Sequence, residues 1–157
     1  MGCKRNRVME YNTASVTDIA RIIDLKLEMF RESGHDNLLH PDARTIIAAD
    51  YASLYAKGLA CHFVARSDGV IIACAGAFIK TDIPYRYYLQ PQYGWIGDVF
   101  VDVHFRGRGI ATQLSQAALK WLSGTGVTTV RLLASTAARP IYAKLGFELT
   151  DEMVLHI

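Results

Sequence analysis

Residues 95–112, WIGDVFVDVHFRGRGIAT, constrain this chain more than any other stretch. Positions 95–103 are mostly apolar and rich in β-branched residues, the character of an interior strand. Arg106, Gly107, Arg108 and Gly109 follow, and from Ile110 the apolar positions fall at helical spacing. Glycines in such a turn let backbone N–H groups point toward one place, and a helix start adds partial positive charge. Arg106 and Arg108 supply further charge beside it. Strand, glycine turn and helix in that order suit phosphate oxygens, so the segment is expected to bind a phosphorylated ligand.

The spacing narrows which ligand. A Walker loop needs a Lys-Ser/Thr pair after its second glycine, and this turn has none. A dinucleotide fingerprint would begin at Gly107, but Thr112 stands where its third glycine belongs. That fingerprint also needs an acidic residue about 20 positions on, and the next apolar run ends at Ala134-Ser135. What fits is Arg106-x-x-Gly109-x-Ala111, the form Q/R-x-x-G-x-G/A. Downstream, residues 135–147 read STAARPIYAKLGF and fit N-x-x-A-x-x-h-Y-x-K-x-G-F, with h apolar. Ala138, Tyr142, Lys144, Gly146 and Phe147 match, and Ser135 replaces the Asn.

On these two segments the chain resembles the GCN5-related N-acetyltransferase (GNAT) superfamily, strongly over residues 94–150 and thinly before them. The resemblance implies that the Arg106–Ala111 loop binds the pyrophosphate of acetyl-coenzyme A. It also implies a V-shaped cleft between two parallel strands, 95–103 and 127–134, with the pantetheine arm lying in it. By motif position the donor-binding set is Val99, Phe100, Val101, Arg106, Gly107, Arg108, Gly109, Ile110, Ala111, Thr112, Ser135 and Tyr142. Val99 and Val101 would act through their backbone, pairing with the arm as an added strand does.

The reaction implied is direct attack of a neutral amine on the thioester carbonyl, with coenzyme A leaving as thiolate. Tyr142 takes the place of the family's tyrosine near the sulfur, where its phenol can donate a proton; otherwise it is a packed aromatic. Many members carry Glu early on the central strand, where this chain has Trp95. Asp98 is the nearest carboxylate and needs a strand bulge to turn it into the cleft. Burial would raise its pKa toward a useful value. The alternatives are that Asp98 bonds loop backbone or that water carries the proton. A non-catalytic acyl-coenzyme A sensor is the competing function, suggested by the missing glutamate.

The 157 residues, 51% hydrophobic, suffice for one domain with a substantial core, residues 1–157. A formal charge of +2 without a basic face argues against nucleic acid as a partner. Cys3, Cys61 and Cys74 make no CxxC pair and read as thiols of a reducing cytosol. The longest apolar run, 70–79, is about half a membrane span, so no membrane partner is expected. His35 and His40 lie in a turn without further ligands, and no metal is expected.

In order, residues 7–12 read as a strand and 18–33 as an amphipathic helix with Ile19, Ile22, Ile23, Leu27 and Phe30 on one side. Gly34 stops it, and a second helix spans 42–56. Runs 59–66 and 70–80, joined by Ser67-Asp68-Gly69, form a hairpin. Segment 81–93, with Tyr85, Tyr87, Tyr88 and Tyr93, is too broken for regular structure. The helix from Ile110 leads to a strand at 127–134, a short helix at 138–145 and one or two final strands in 147–157. The fold class is α/β: a mixed, mainly antiparallel sheet with a splayed central parallel pair and helices on both faces.

The acceptor is expected to be a primary amine of a small molecule or peptide. His35, Asp36 and His40, or the carboxylates Glu28, Glu32, Asp36 and Asp82, are candidates to meet it, or are simply solvated. A homodimer is compatible with the family.

Overall fold

The structure, a computed structural model, describes residues 8–83 and 90–157. Expectations for Cys3, the basic N-terminus, Tyr85, Tyr87 and Tyr88 fall outside that set. Strand β1 (Met9–Thr13) is followed by helices α1 (Ile19–Glu32) and α2 (Ala43–Ala56), then strands β2 (Ala60–Ser67), β3 (Val70–Thr81) and β4 (Gln92–Val101). Helix α3 (Ile110–Gly124), strand β5 (Val130–Arg131) and helix α4 (Arg139–Lys144) complete the order. The five strands form one sheet in sequence order, antiparallel except for the parallel β4–β5 pair.

The helices begin and pack for local reasons. The Ser15 amide donates to the Asp18 carboxylate at 2.9 Å, half of a capping box at the entrance to α1. Asp18 also accepts from Arg66 of β2 at 2.8 Å, fastening that entrance to the sheet. Ile22, Ile23 and Leu25 of α1 are buried against Tyr51 of α2 and against Val64, Ile71, Cys74, Phe78 and Phe100 of the sheet. On the opposite face, Ile110, Leu114, Ala118 and Leu122 of α3 pack on Ala65, Ala73, Ala75, Ala77 and Ile96. Strand β3, buried from Ile71 to Phe78, is covered on both sides. The β2–β3 turn places Asp68 and Gly69 at φ 50° and 80°, the two-residue geometry that Asp-Gly favours.

Two expectations need correction. The run 127–134 supplies only two paired residues, Gly94 opposite Val130 and Trp95 opposite Arg131. Beyond that pair β5 stops, which opens the sheet. Residues 147–157 form no strand, and Leu149, Met153, Val154, Leu155 and Ile157 are exposed. Their alternation suits a strand, but a strand without a neighbouring edge has no ladder to join. No helix among the described residues is long and apolar enough to cross a membrane.

Candidate active site

The site lies where β4 loses its neighbour. Beyond Trp95 and Arg131, no strand among the described residues lies beside β4 on its β5 side. The Asp102 amide donates to the Ile72 carbonyl of β3 at 2.9 Å. Backbone groups alternate sides along a strand, so Val101 and Val99 direct theirs to the other side, into the opening. Arg106 Nε meets the Val101 carbonyl there at 2.8 Å.

That register depends on a bulge. Gly76 of β3 pairs with Gly97, yet Cys74, two residues away, pairs with Phe100, three residues along β4. The extra residue sits at Asp98, with φ 55°. Trp95, Asp98 and Phe100 therefore face α1 and α2, whereas Ile96, Val99 and Val101 face α3. A bulge of the kind Asp98 would need is present, and it turns the carboxylate into the α1–α2 layer.

There the Asp98 carboxylate accepts hydrogen bonds from Lys26 of α1 and Tyr51 of α2, and from His62 Nε2 of β2 at 2.9 Å. The Tyr55 hydroxyl lies 2.8 Å from His62 Nδ1 and accepts the His62 amide at 3.0 Å. The His62 ring thus bridges the two layers' polar groups, Nε2 donating to Asp98 and Nδ1 facing the Tyr55 hydroxyl. Burial pushes the Asp98 carboxyl up, but the His62 hydrogen bond and the Lys26 charge outweigh it and hold the group well below its ordinary 3.8. The expectation of a raised pKa is therefore corrected: burial arrived together with three donors. Asp98 so bonded is a poor proton acceptor.

After β4 the chain makes a short turn at Val103–Phe105, capped by the Asp102 carboxylate through the His104 amide at 2.9 Å. Gly107 and Gly109 take φ 73° and 75°, with open space where a β-carbon would stand, and Gly109 leads directly into α3. Residues 106–109 are exposed, Ile110 is buried, and Ala111 and Thr112 are half-buried. An exposed glycine turn at the start of a fifteen-residue helix fits a pyrophosphate group. The arginines brace this turn: Arg106 also binds Glu32 of α1 at 2.5 Å, and Arg108 donates to the His104 carbonyl at 3.2 Å.

Ser135 is exposed, and its carbonyl and hydroxyl receive the Ala138 amide at 3.0 and 3.3 Å, setting up α4. Pro140 follows in the first turn of α4. Tyr142 is buried, its ring edge-on to Phe147 at 5.8 Å. Burial raises its phenol above the ordinary 10.0, and the Ser115 hydroxyl of α3 partly offsets that. Ser115 Oγ is itself buried without a hydrogen bond of full geometry among the described residues, so Tyr142 is its neighbour rather than a bonded partner.

The matched family model is the acetyltransferase (GNAT) family, over residues 20–147. The chain belongs to that family. This GNAT chain is 29% identical over 127 residues to an aminoglycoside N(6')-acetyltransferase type 1 of Salmonella typhimurium, covering 78% of this chain and 81% of the relative. It superimposes on a GCN5-related N-acetyltransferase of Ralstonia eutropha with TM-score 0.85 and 26% identity, over 96% and 99% of the two chains. A predicted acetyltransferase of Clostridium acetobutylicum, crystallised with acetyl-coenzyme A, shares the fold with TM-score 0.84 at 24% identity, over 96% of each chain.

For this acetyltransferase, the candidates Val99, Phe100, Val101, Arg106 to Thr112 and Asp98 gather along β4 and its turn. Ser135 and Tyr142 stand on the segment after β5. His35, Asp36 and His40 are exposed turn residues, Glu32 is engaged by Arg106, and Asp82 lies 3.8 Å from Arg131. Sequence reasoning missed Lys26, Tyr51, Tyr55, His62 and Ser115. Two of them carried a signal: Lys26 interrupts the apolar side of α1, and His62 holds an inward position of β2 between Ala60 and Val64. Lys80 was also passed over; its ammonium lies 4.0 Å above the Trp95 ring.

Proposed function

We propose that this protein transfers the acetyl group of acetyl-coenzyme A to a primary amine of a small molecule by direct attack. The observation that carries the reading is the open side of β4 beyond Trp95, followed after the short Val103–Phe105 turn by Gly107 and Gly109 at the start of α3. An extended amide-bearing arm can add there as a strand would, with its pyrophosphate at the helix start. The neutral amine attacks the thioester carbonyl carbon, and the carbon–sulfur bond of the tetrahedral intermediate then breaks. Tyr142 donates its phenolic proton to the departing sulfur and is reprotonated from solvent. The amine's own proton passes to water, since the Asp98 carboxylate is already engaged by three donors.

Aminoglycosides are the first acceptors to try, because relatives 29% identical are named for acetylating them. The test is thiol release from acetyl-coenzyme A across aminoglycosides, simple polyamines and peptide N-termini. Turnover on one class identifies the acceptor. Binding of coenzyme A without turnover on any amine would replace this reading with that of an acyl-coenzyme A sensor.

A further inference from the structure

The Lys26–Asp98–His62–Tyr51 network joins α1, β4, β2 and α2 at one point, and that point is the bulge. We propose that Asp98 is a positioning residue: its bonds hold β4 in the one register that turns the Val99 and Val101 backbone toward the donor. The proposal rests on the acetyl-coenzyme A reading above.

The bulge is not self-maintaining. A side-chain-bearing residue at φ 55° is in the left-handed region, which only a short polar residue with local partners tolerates well. Removing the extra residue would restore strict alternation and exchange the sides presented by Val99 and Val101. Three donors from three different elements oppose that exchange: Lys26, Tyr51 and His62. The Cys74 thiol adds a fourth restraint by lying 3.1 Å from the Asp98 carbonyl.

The surroundings are arranged around the same point. The His62 ring is held from its far side by Tyr55 at Nδ1, so it cannot rotate away from Asp98 without breaking that contact as well, and the His62 amide fixes the Tyr55 hydroxyl in place. Gly76, its cross-strand partner, leaves the space that His62 Nε2 occupies. Asp98 has 2% of its side chain exposed and Lys26 22%, so the carboxylate meets this cation largely out of solvent. Apolar residues would fill such a place at no loss of stability. A fully bonded polar network instead fixes one geometry, and the geometry fixed here is that of the donor strand.

Steady-state kinetics with acetyl-coenzyme A varied at saturating amine test this in Asp98→Asn, His62→Gln and Tyr51→Phe, each checked for folding by circular dichroism. A misplaced donor strand predicts a rise of roughly tenfold to a hundredfold in the acetyl-coenzyme A KM of Asp98→Asn, with the acceptor KM unchanged. His62→Gln retains a donor toward Asp98 and should restore most of the wild-type value, unlike His62→Ala. Tyr51→Phe, which leaves the charge pair intact, keeps the question open to test if Asp98→Asn does not fold. Its Asp102 amide, bonded to the Ile72 carbonyl of β3 beside the bulge, should exchange with deuterium faster than the same amide of the unsubstituted protein. Folded variants with unaltered acetyl-coenzyme A KM, or with only the acceptor KM moved, would overturn the proposal. An unsubstituted protein that neither binds nor turns over acetyl-coenzyme A would overturn the underlying reading, a separate failure.

Discussion

His62 and Gly76 are paired across the β2–β3 ladder, and a β-carbon at Gly76 would stand 2.8 Å from His62 Nε2. The same carbon would stand 2.7 Å from the Phe78 ring, so neither neighbour can yield without disturbing the other. Gly76→Ala is therefore expected to destabilise the protein by roughly 1–3 kcal/mol through overpacking. It should also loosen the His62 bond to Asp98. Urea unfolding gives the first effect, and a raised acetyl-coenzyme A KM would report the second.

Much of the donor side was legible because it is local. The strand, the turn at Gly107 and Gly109 and the helix from Ile110 are consecutive, and the residue type at both glycine positions permits the positive φ found there. The network around Asp98 is the opposite case. Its members are separated by 36 residues for His62, 47 for Tyr51 and 72 for Lys26, and no local rule brings them together. Nor could sequence set the sign of the Asp98 shift, since burial and partners act against each other there. The final strands were misread because alternation reports a face and not a partner. Leu149, Met153 and Leu155 have the pattern, but pairing requires an edge that the early end of β5 does not provide.

Asp98 ties stability to acid pH. Its folded pKa lies below the ordinary 3.8, so the native state releases this proton more readily than the unfolded chain. The contribution is complete above the unfolded value and is lost as pH falls through it toward the folded one. The unfolding midpoint should therefore be level from neutral pH to about 5 and decline below about 4. Asp98→Asn should cost roughly 3–5 kcal/mol at neutral pH, because Lys26 is left half-buried without its anion. Its stability should also fall less steeply in acid. Urea titrations from pH 3 to pH 8 on both proteins measure each slope.

Tyr142→Phe is expected to lower kcat by roughly a hundredfold, the low end for a lost general acid. Coenzyme A affinity should be little changed, since the ring and its edge contact with Phe147 remain. A phenol held above 10.0 stays protonated through the neutral range. Wild-type kcat should show no loss of this acid anywhere between pH 6 and 10, whereas an acid of ordinary or lowered pKa would give a falling limb there. Stopped-flow thiol release across pH 6–10 separates the two.

Ser115→Ala should leave the protein as stable as before, or more so by up to about 1 kcal/mol. The substitution removes a buried hydroxyl that has no hydrogen bond of full geometry among the described residues, so little bonding is given up. It also withdraws the group that offsets burial at Tyr142, and the phenol should titrate higher. A thermal melt and the ultraviolet titration of the tyrosines check both directions. A fall in melting temperature would mean that Ser115 is bonded in solution.

Arg106 stands between a backbone carbonyl and a carboxylate. Its Nε holds the Val101 carbonyl, and its Nη2 is bound to Glu32, so an incoming phosphate must compete with that carboxylate. Both side chains are substantially exposed, 45% and 36%, and an ion pair of that kind contributes no more than about 1 kcal/mol. Glu32→Gln should remove the competitor and tighten coenzyme A binding by no more than roughly fivefold. Arg106→Ala should act in the other direction, losing a charge-assisted contact and weakening binding by roughly tenfold. In the double variant the Glu32 effect should vanish, because the carboxylate then competes for nothing. Calorimetric titration of coenzyme A into the four proteins at low and at physiological salt completes the cycle, and an undiminished Glu32 effect without Arg106 would assign that carboxylate to a different role.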